Sequence, residues 1–555
     1  MTTLDTSAAA TTNDGRALVA DDTTGVFDSM SGWLTTTDHK RIGRLFVVSS
    51  LVVGVAVALV AVVLGIERVA DGEVFDASAV PQLFAAFRFG LVYSLALPLM
   101  VGLAIAVVPL QVGARALAFP RLALTGFWFW ASGLVFVAIA LANNGGPAGG
   151  DPDMVDLFLA AYALQLIGLL AAGVSVATTV LTARVPGMTL RRIPLFSWSA
   201  LVQAIAITLT LPLQIGLVVY LFVDHRNGRL AFGGNTGIGQ WLGYGVTQPM
   251  TYVAATTVFG LALELVAVTF GRRLQLRSVL YAGVGLVGVG ALGAVTQQTR
   301  NFEVLWRTAG APDDAAETLG DIVTLGLVLG LPLLGALTEL GAGGLTAAAA
   351  AAAKVRPRIS GPFVMSFLGA GMVVTGMVGG LVYPIGIFGL SGTVFEEACL
   401  VYVVYGTVLA GMGAVAYWAP KWWGRLIPDK QVLGLGALGM IATVLASLPY
   451  VVAGFADQPA GAVDFDYEGP KVLWNLAVTA GHALMAVVVL AFVGLVAKTA
   501  TGRGGDDAHD DPWGGQTLEW ATASPAPRDN FAEVGSVMSP EPLLDSTAEP
   551  DEEGR

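Results

Sequence analysis

Charged side chains are scarce in this sequence. Asp, Glu, Lys and Arg make up 13% of its 555 residues, about half of the ~25% usual in soluble domains. Hydrophobic residues reach 55% and fall in repeated unbroken runs. This excludes an ordinary soluble globular domain and predicts a polytopic α-helical membrane protein. The runs are continuous rather than alternating, which excludes a transmembrane β-barrel. There is a single cysteine, Cys399, so no intrachain disulfide and no cysteine-based metal site can form. The net charge is −12, and its acids concentrate in the two tails, which argues against a nucleic-acid partner. The first 40 residues are polar, so no cleavable leader is expected.

What is present is a series of spans. Twelve candidates lie at about 43–66, 84–110, 124–143, 156–183, 197–223, 241–270, 278–298, 319–342, 361–389, 394–419, 432–455 and 471–498, each long enough for a tilted helix of ~20 residues. Cations cluster in every second loop: Lys40, Arg41 and Arg44, then Arg115 and Arg121, Arg184, Arg191 and Arg192, Arg272, Arg273 and Arg277, Lys354, Arg356 and Arg358, Lys421, Arg425 and Lys430, and Lys498 and Arg503. The alternate loops hold acids such as Glu67, Asp71, Asp151, Asp313, Asp457 and Asp464. The positive-inside rule therefore predicts that both termini are cytoplasmic. The expected organisation is an acidic, disordered N-terminal tail over 1–40, a twelve-helix membrane domain over 41–500, and a solvated acidic C-terminal tail over 501–555. The alanine run 347–353 is expected to extend a helix end.

Several stretches resemble subunit I of cytochrome c oxidase and the related haem–copper oxidases. WLTTTDHKRIG at 33–43 is similar to the family's entry into its first helix. VPLQVGARALAFPR at 108–121 and VPGMTLRRIP at 185–194 resemble its loops after helices 2 and 4. DHRN at 224–227 falls at the loop after helix 5. YWAPKWWGR at 417–425 resembles the end of helix 10, and DPWGGQTLEWATASPAPRDNF at 511–531 its C-terminal tail. The resemblance implies an all-α, twelve-helix bundle in the plasma membrane. It also implies other oxidase subunits as partners, a subunit II-like protein among them. In the family, two haems and a copper ion reduce oxygen to water while protons are pumped.

The same resemblance implies six histidine ligands, since imidazole coordinates iron and copper at ambient pH. This chain has four histidines in all: His39, His225, His509 and His482. Only His482 lies well inside a span, in helix 12, where the family places no ligand. The helix 6 signature His-Pro-Glu-Val-Tyr is matched by Gln248-Pro249-Met250-Thr251-Tyr252. The paired copper histidines of helix 7 are matched by Gln297-Gln298. The window for the His-x-His of helix 10, about 22 residues before Pro420, reads Glu397-Ala398-Cys399-Leu400-Val401, and the window for the helix 2 histidine, near residue 87, reads Ala86-Phe87-Arg88-Phe89. The arginine pair before helix 12 is replaced around Gln458-Pro459-Ala460-Gly461. The acids and lysine of the family's proton paths correspond to Ala116, Met250 and about Ala336. No haem or copper is therefore expected. Gln248, Gln297 and Gln298 are expected to fill the former copper pocket and bond one another, with Tyr252 packing beside them.

Glu264, Glu339 and His482 are polar groups inside spans, and intramembrane ionisable residues are functional candidates by default. For His482 a hydrogen-bonded packing role is the main expectation. Arg88, Glu396 and Glu397 are expected near the outer interface. Phe87, Phe89, Tyr402 and Tyr405 are expected to fill the volume of the haems. Three functions compete. The leading one is a non-catalytic subunit I-like protein with a structural, assembly or regulatory part in a respiratory complex. The others are an active terminal oxidase subunit, and an ion or small-molecule channel through the vacated cavity.

Overall fold

The computed structural model describes residues 32–546, apart from 71, 73, 297–305, 467, 468 and 532. A backbone surrounded by hydrocarbon must satisfy its N–H and C=O groups internally, and the apolar runs do so as helices. Twelve are long and apolar enough to cross a membrane: α1 His39–Val69, α2 Ala79–Gln111, α3 Pro120–Ala142, α4 Pro152–Thr182, α5 Leu195–Arg226, α6 Gly237–Phe270, α7 Arg277–Ala294, α8 Asp313–Ala352, α9 Gly361–Val382, α10 Phe395–Trp423, α11 Asp429–Phe455 and α12 Lys471–Ala500. The expected twelve-helix, all-α membrane fold is what the chain adopts. The alanine run carries α8 out to Ala352.

Local signals set the ends. Asp38 caps α1 by accepting the Lys40 N–H. Asp151 caps α4 ahead of Pro152, and Ser360 caps α9 ahead of Pro362. Gly271 and Gly424 end α6 and α10 with positive φ values of 58° and 76°, where a side chain would be strained.

Three helices form the centre. The apolar windows of α2, α6 and α10 are 100%, 94% and 100% buried, against 39–56% for the other nine. The outer helices turn residues such as Val52, Leu209, Leu337, Leu476 and Leu490 outward, as a lipid-facing surface requires. Small residues let neighbours approach closely. A Cβ on Gly406 of α10 would lie 2.6 Å from the Gly369 carbonyl oxygen of α9, and Gly369 meets the Gly406 carbonyl in return. Gly406→Val is therefore expected to force α9 and α10 apart and cost about 1–3 kcal/mol. The midpoint of thermal unfolding in detergent measures it.

The chain divides into two compact units, Met1–Thr36 and Thr37–Arg555, and all twelve helices lie in the second. The C-terminal tail departs from expectation. It was expected to be solvated, but Leu518, Glu519, Trp520 and Asn530 are buried. The tail crosses the end of the bundle where α1 begins, here called the tail end. Asn530 Oδ1 meets His39 Nε2 and accepts from Lys40 Nζ, each at 3.1 Å. Lys421 Nζ at the end of α10 donates to the carbonyls of Asp510 and Thr522 at 2.7 and 2.6 Å. Trp513 donates to the Tyr417 carbonyl at 2.9 Å. Arg273 and Arg277 pair with Asp545 and Glu541. The charge of the tail thus conceals an apolar and hydrogen-bonded face.

Candidate functional site

The positions that the resemblance assigns to metal ligands fall mainly on the inner helices, so their side chains are deep in the bundle. On α6, Gln248 and Tyr252 sit one turn apart and both are buried. Gln248 Nε2 donates to the Tyr252 hydroxyl across 3.5 Å, a long contact, and Gln248 Oε1 has no partner among the described residues. Gly380 of α9 leaves the room that the Tyr252 hydroxyl occupies. Gln297 and Gln298 lie outside the described residues, and with them the expected cluster of three glutamines.

On α10, Glu397 forms the core of a buried ionic network. Arg68, at the far end of α1, meets it in bidentate fashion: Nη2 to Oε1 at 2.7 Å and Nη1 to Oε2 at 2.9 Å. The two side chains are 3% and 8% exposed, so the pair is buried within the protein. The Arg68 fork is filled further by the Tyr450 hydroxyl at 2.6 Å and the Ala462 carbonyl at 3.1 Å. Tyr450 donates to Asn475 Oδ1 at 2.7 Å, which also accepts from Gln458 at 3.1 Å. The Gly461 N–H reaches Glu397 Oε1 at 3.3 Å. The guanidinium lies over the rings of Phe84 and Tyr450 at 5.1 and 5.2 Å, where cation–π attraction adds to the pair. Beside it, Arg88 meets Glu396 at 2.5 Å, and Tyr383 donates to the same carboxylate at 3.3 Å. The network ties α1, α10, α11 and α12 together at the end opposite the tail. A cleft of about 430 Å³ opens onto it, with Arg88, Glu396 and Glu397 in its wall.

Deeper on the same side, Phe87 of α2 stands edge-on to His482 of α12, with ring centres 5.5 Å apart. His482 Nδ1 lies 2.7 Å from the Tyr405 hydroxyl of α10. Phe89 packs on Tyr162 at 5.2 Å, and Tyr402 is buried. Cys399 is buried among Leu390 and Phe395.

Two acids remain. Glu339 of α8 is fully buried, and neither carboxyl oxygen has a partner among the described residues. It lies across Gly283 of α7, where a Cβ would strike Oε1. Burying an unsatisfied polar group costs about 1–3 kcal/mol. Glu339→Met, similar in length and apolar, is therefore expected to raise the unfolding midpoint in detergent. An unchanged or lower midpoint would mean that the carboxyl has a partner. Glu264 of α6 sits at the tail end. Its Oε1 accepts from Gln111 Nε2 at 2.5 Å and its Oε2 from the Phe196 N–H at 3.3 Å. Gln111 also donates to Glu519 of the tail at 3.0 Å.

Sequence reasoning named Glu264, Glu339, Glu397 and His482 but missed Arg68, Glu519 and Tyr450. Arg68 carried no signal of its partner, because an arginine closing an apolar run ordinarily reaches the interface with its long side chain. Glu519 carried none, because the tail had been taken as solvated.

These features define a polytopic helical membrane protein with three inner helices that present polar side chains to one another. A family model described as cytochrome c and quinol oxidase polypeptide I matches residues 41–484. The chain is 28% identical to cytochrome c oxidase subunit 1 of Bacillus subtilis over 539 residues, covering 92% of this chain and 82% of that one. It is also 28% identical to cytochrome c oxidase subunit 1 of Corynebacterium diphtheriae over 548 residues, covering 92% and 91%. A cytochrome c oxidase subunit 1-beta of Streptomyces avermitilis gives the same identity and coverage. The chain belongs to the cytochrome c oxidase subunit I family.

Membership corrects one expectation. The histidine count led to the expectation of no cofactor, but the family is one of haem–copper oxidases, and similarity to chains named cytochrome c oxidase subunit 1 points to haem and copper. The count removed the family's ligand set, which is a narrower statement than removing the cofactors. The described side chains at those ligand positions do not fit these groups as imidazoles would. Within the helix 10 window Glu397 is held in both oxygens by Arg68, while on α6 Gln248 offers an amide and on α2 Phe87 has no donor atom. His482 has one ring nitrogen at the Tyr405 hydroxyl.

Proposed function

We propose that this chain is a subunit I-like component of a respiratory membrane complex with a structural, assembly or regulatory role, and that oxygen reduction is carried by another chain. The observation that carries this reading is the Arg68–Glu397 pair. In the helix 10 window where the family resemblance expects histidines, Glu397 to Val401, there is no imidazole, and the one carboxylate, Glu397, is already neutralised by a bidentate guanidinium. A guanidinium is charged at all accessible pH values, so it cannot release the carboxylate by losing a proton. The pair joins α1 to α10, and hydrogen bonds through Tyr450 and Asn475 extend the tie to α11 and α12, which is what a scaffold needs and what a site that must bind, release and turn over does not.

The tail end faces the cytoplasm on this reading, because the cation-rich loops with Arg115, Arg121, Arg184 and Arg191 lie at that end. The partners are oxidase subunits, a subunit II-like protein first among them. The folded tail and the loops it ties together support this, since they offer a fixed polar surface for docking.

The test is affinity purification of the tagged chain from its own membranes in mild detergent. The expected result is co-purification of oxidase subunits, and a several-fold lower yield of assembled oxidase when the gene is deleted. Recovery of the chain alone, with normal oxidase yield in the deletion strain, would sink the proposal.

A further inference from the structure

The acids at the tail end come from two elements far apart in sequence, Glu264 of α6 and Glu519 of the tail. One amide nitrogen serves both: Gln111 Nε2 lies 2.5 Å from Glu264 Oε1 and 3.0 Å from Glu519 Oε1. Gln111 Oε1 is taken by the Ser197 hydroxyl at 2.7 Å, which fixes the amide's orientation. Trp418 Nε1 donates to Glu519 Oε1 at 3.3 Å, and Thr517 Oγ1 to Glu264 Oε1 at 3.5 Å. Glu519 Oε2 is buried and has no partner among the described residues.

Among the described residues no cation bonds either carboxyl directly, and Lys421 attracts Glu519 only at longer range. Lys421 of α10 directs its ammonium to the carbonyls of Asp510 and Thr522 and lies 5.1 Å from the Trp520 ring. Asp510 and Asp511 of the tail add negative charge, and Tyr417 of α10 contributes a neutral phenol. Arg277 of α7 is paired with Glu541. Two like charges sharing one donor in a buried site cannot both persist. A small cavity of about 20 Å³ adjoins Glu264, lined by Thr517, Gln516, Arg277 and Glu541. A cavity of ~10–15 Å³ suffices for one water molecule.

We propose that Glu264 and Glu519 form a proton-binding site, in which one proton is shared by the two carboxyls, exchanges through the adjoining cavity, and holds the tail on the bundle. Burial pushes the Glu519 carboxyl above the usual carboxylate range. A carboxyl raised in this way binds more protons docked than undocked, so docking weakens as pH rises through the raised value. The site concerns the tail alone and does not depend on the role proposed above.

The experiment is hydrogen exchange of residues 515–522 in the full-length chain in detergent, with wild type, Glu264→Gln and Glu519→Gln compared at each pH. Comparison at equal pH removes the intrinsic pH dependence of exchange. As pH rises above the usual carboxylate range, wild-type protection is expected to fall about tenfold relative to either variant. Each variant removes one of the two charges and keeps its hydrogen-bonding length, so its tail stays docked. Coincident profiles for wild type and both variants would overturn the proposal. Restoration of wild-type protection at high pH by sodium, but not by choline, would also overturn it and make the ligand a metal cation.

Discussion

Arg68→Met alone is expected to destabilise the chain by about 3–5 kcal/mol, because it leaves Glu397 charged and unpaired in the interior. Glu397→Met alone should cost a similar amount by stranding the guanidinium. The double substitution is expected to cost much less than the sum. Removing both ions abolishes their desolvation penalty, and methionine fills most of the volume beside Phe84 and Tyr450. Only a coupled pair behaves in this way. The measurement is unfolding in detergent for the four members of the cycle. Additive losses would mean that the two side chains act separately, and the ionic lock between α1 and α10 would be wrong. Arg88→Met is expected to cost less, about 1–3 kcal/mol, because the stranded Glu396, 10% exposed, keeps the Tyr383 hydroxyl as a donor.

Trp520→Ala is the second large effect. Trp520 is buried and packs edge-on to Tyr417, with ring centres 4.9 Å apart. Tyr417 stacks in turn on Trp513 at 6.0 Å. Removing a buried tryptophan of this kind costs about 3–5 kcal/mol, and here the loss falls on the tail. Proteolysis within 510–531 should become fast in Trp520→Ala and stay slow in Trp520→Phe, which keeps the aromatic contact. Equal proteolysis in wild type and the alanine variant would mean that the tail is not docked in solution.

The helices and the family were legible in the sequence because both rest on long patterns. Hydrophobic runs of span length can only be helices in lipid, and the loop motifs recur in order from 33 to 531. The twelve spans were found for that reason, although their ends moved where caps decided: α1 starts at His39 because Asp38 caps it. The partners of the buried charges were not legible. Arg68 and Glu397 are separated by most of the chain, and nothing in either segment names the other. The tail misled because its acids are the visible part of its composition. Trp513, Leu518 and Trp520, which dock it, are spread among them. The cofactor expectation failed for a different reason. A count of histidines measures one ligand type, whereas membership of the family concerns the whole fold.

The most direct test of the proposed role is oxygen uptake by the purified chain, freed of other subunits and supplied with a chemical reductant, beside the complex from the same membranes. The account predicts uptake by the complex and none above the detergent blank by the chain alone. Turnover by the isolated chain in the range of ~1–10³ s⁻¹ usual for enzymes would contradict it and make this chain the oxidase.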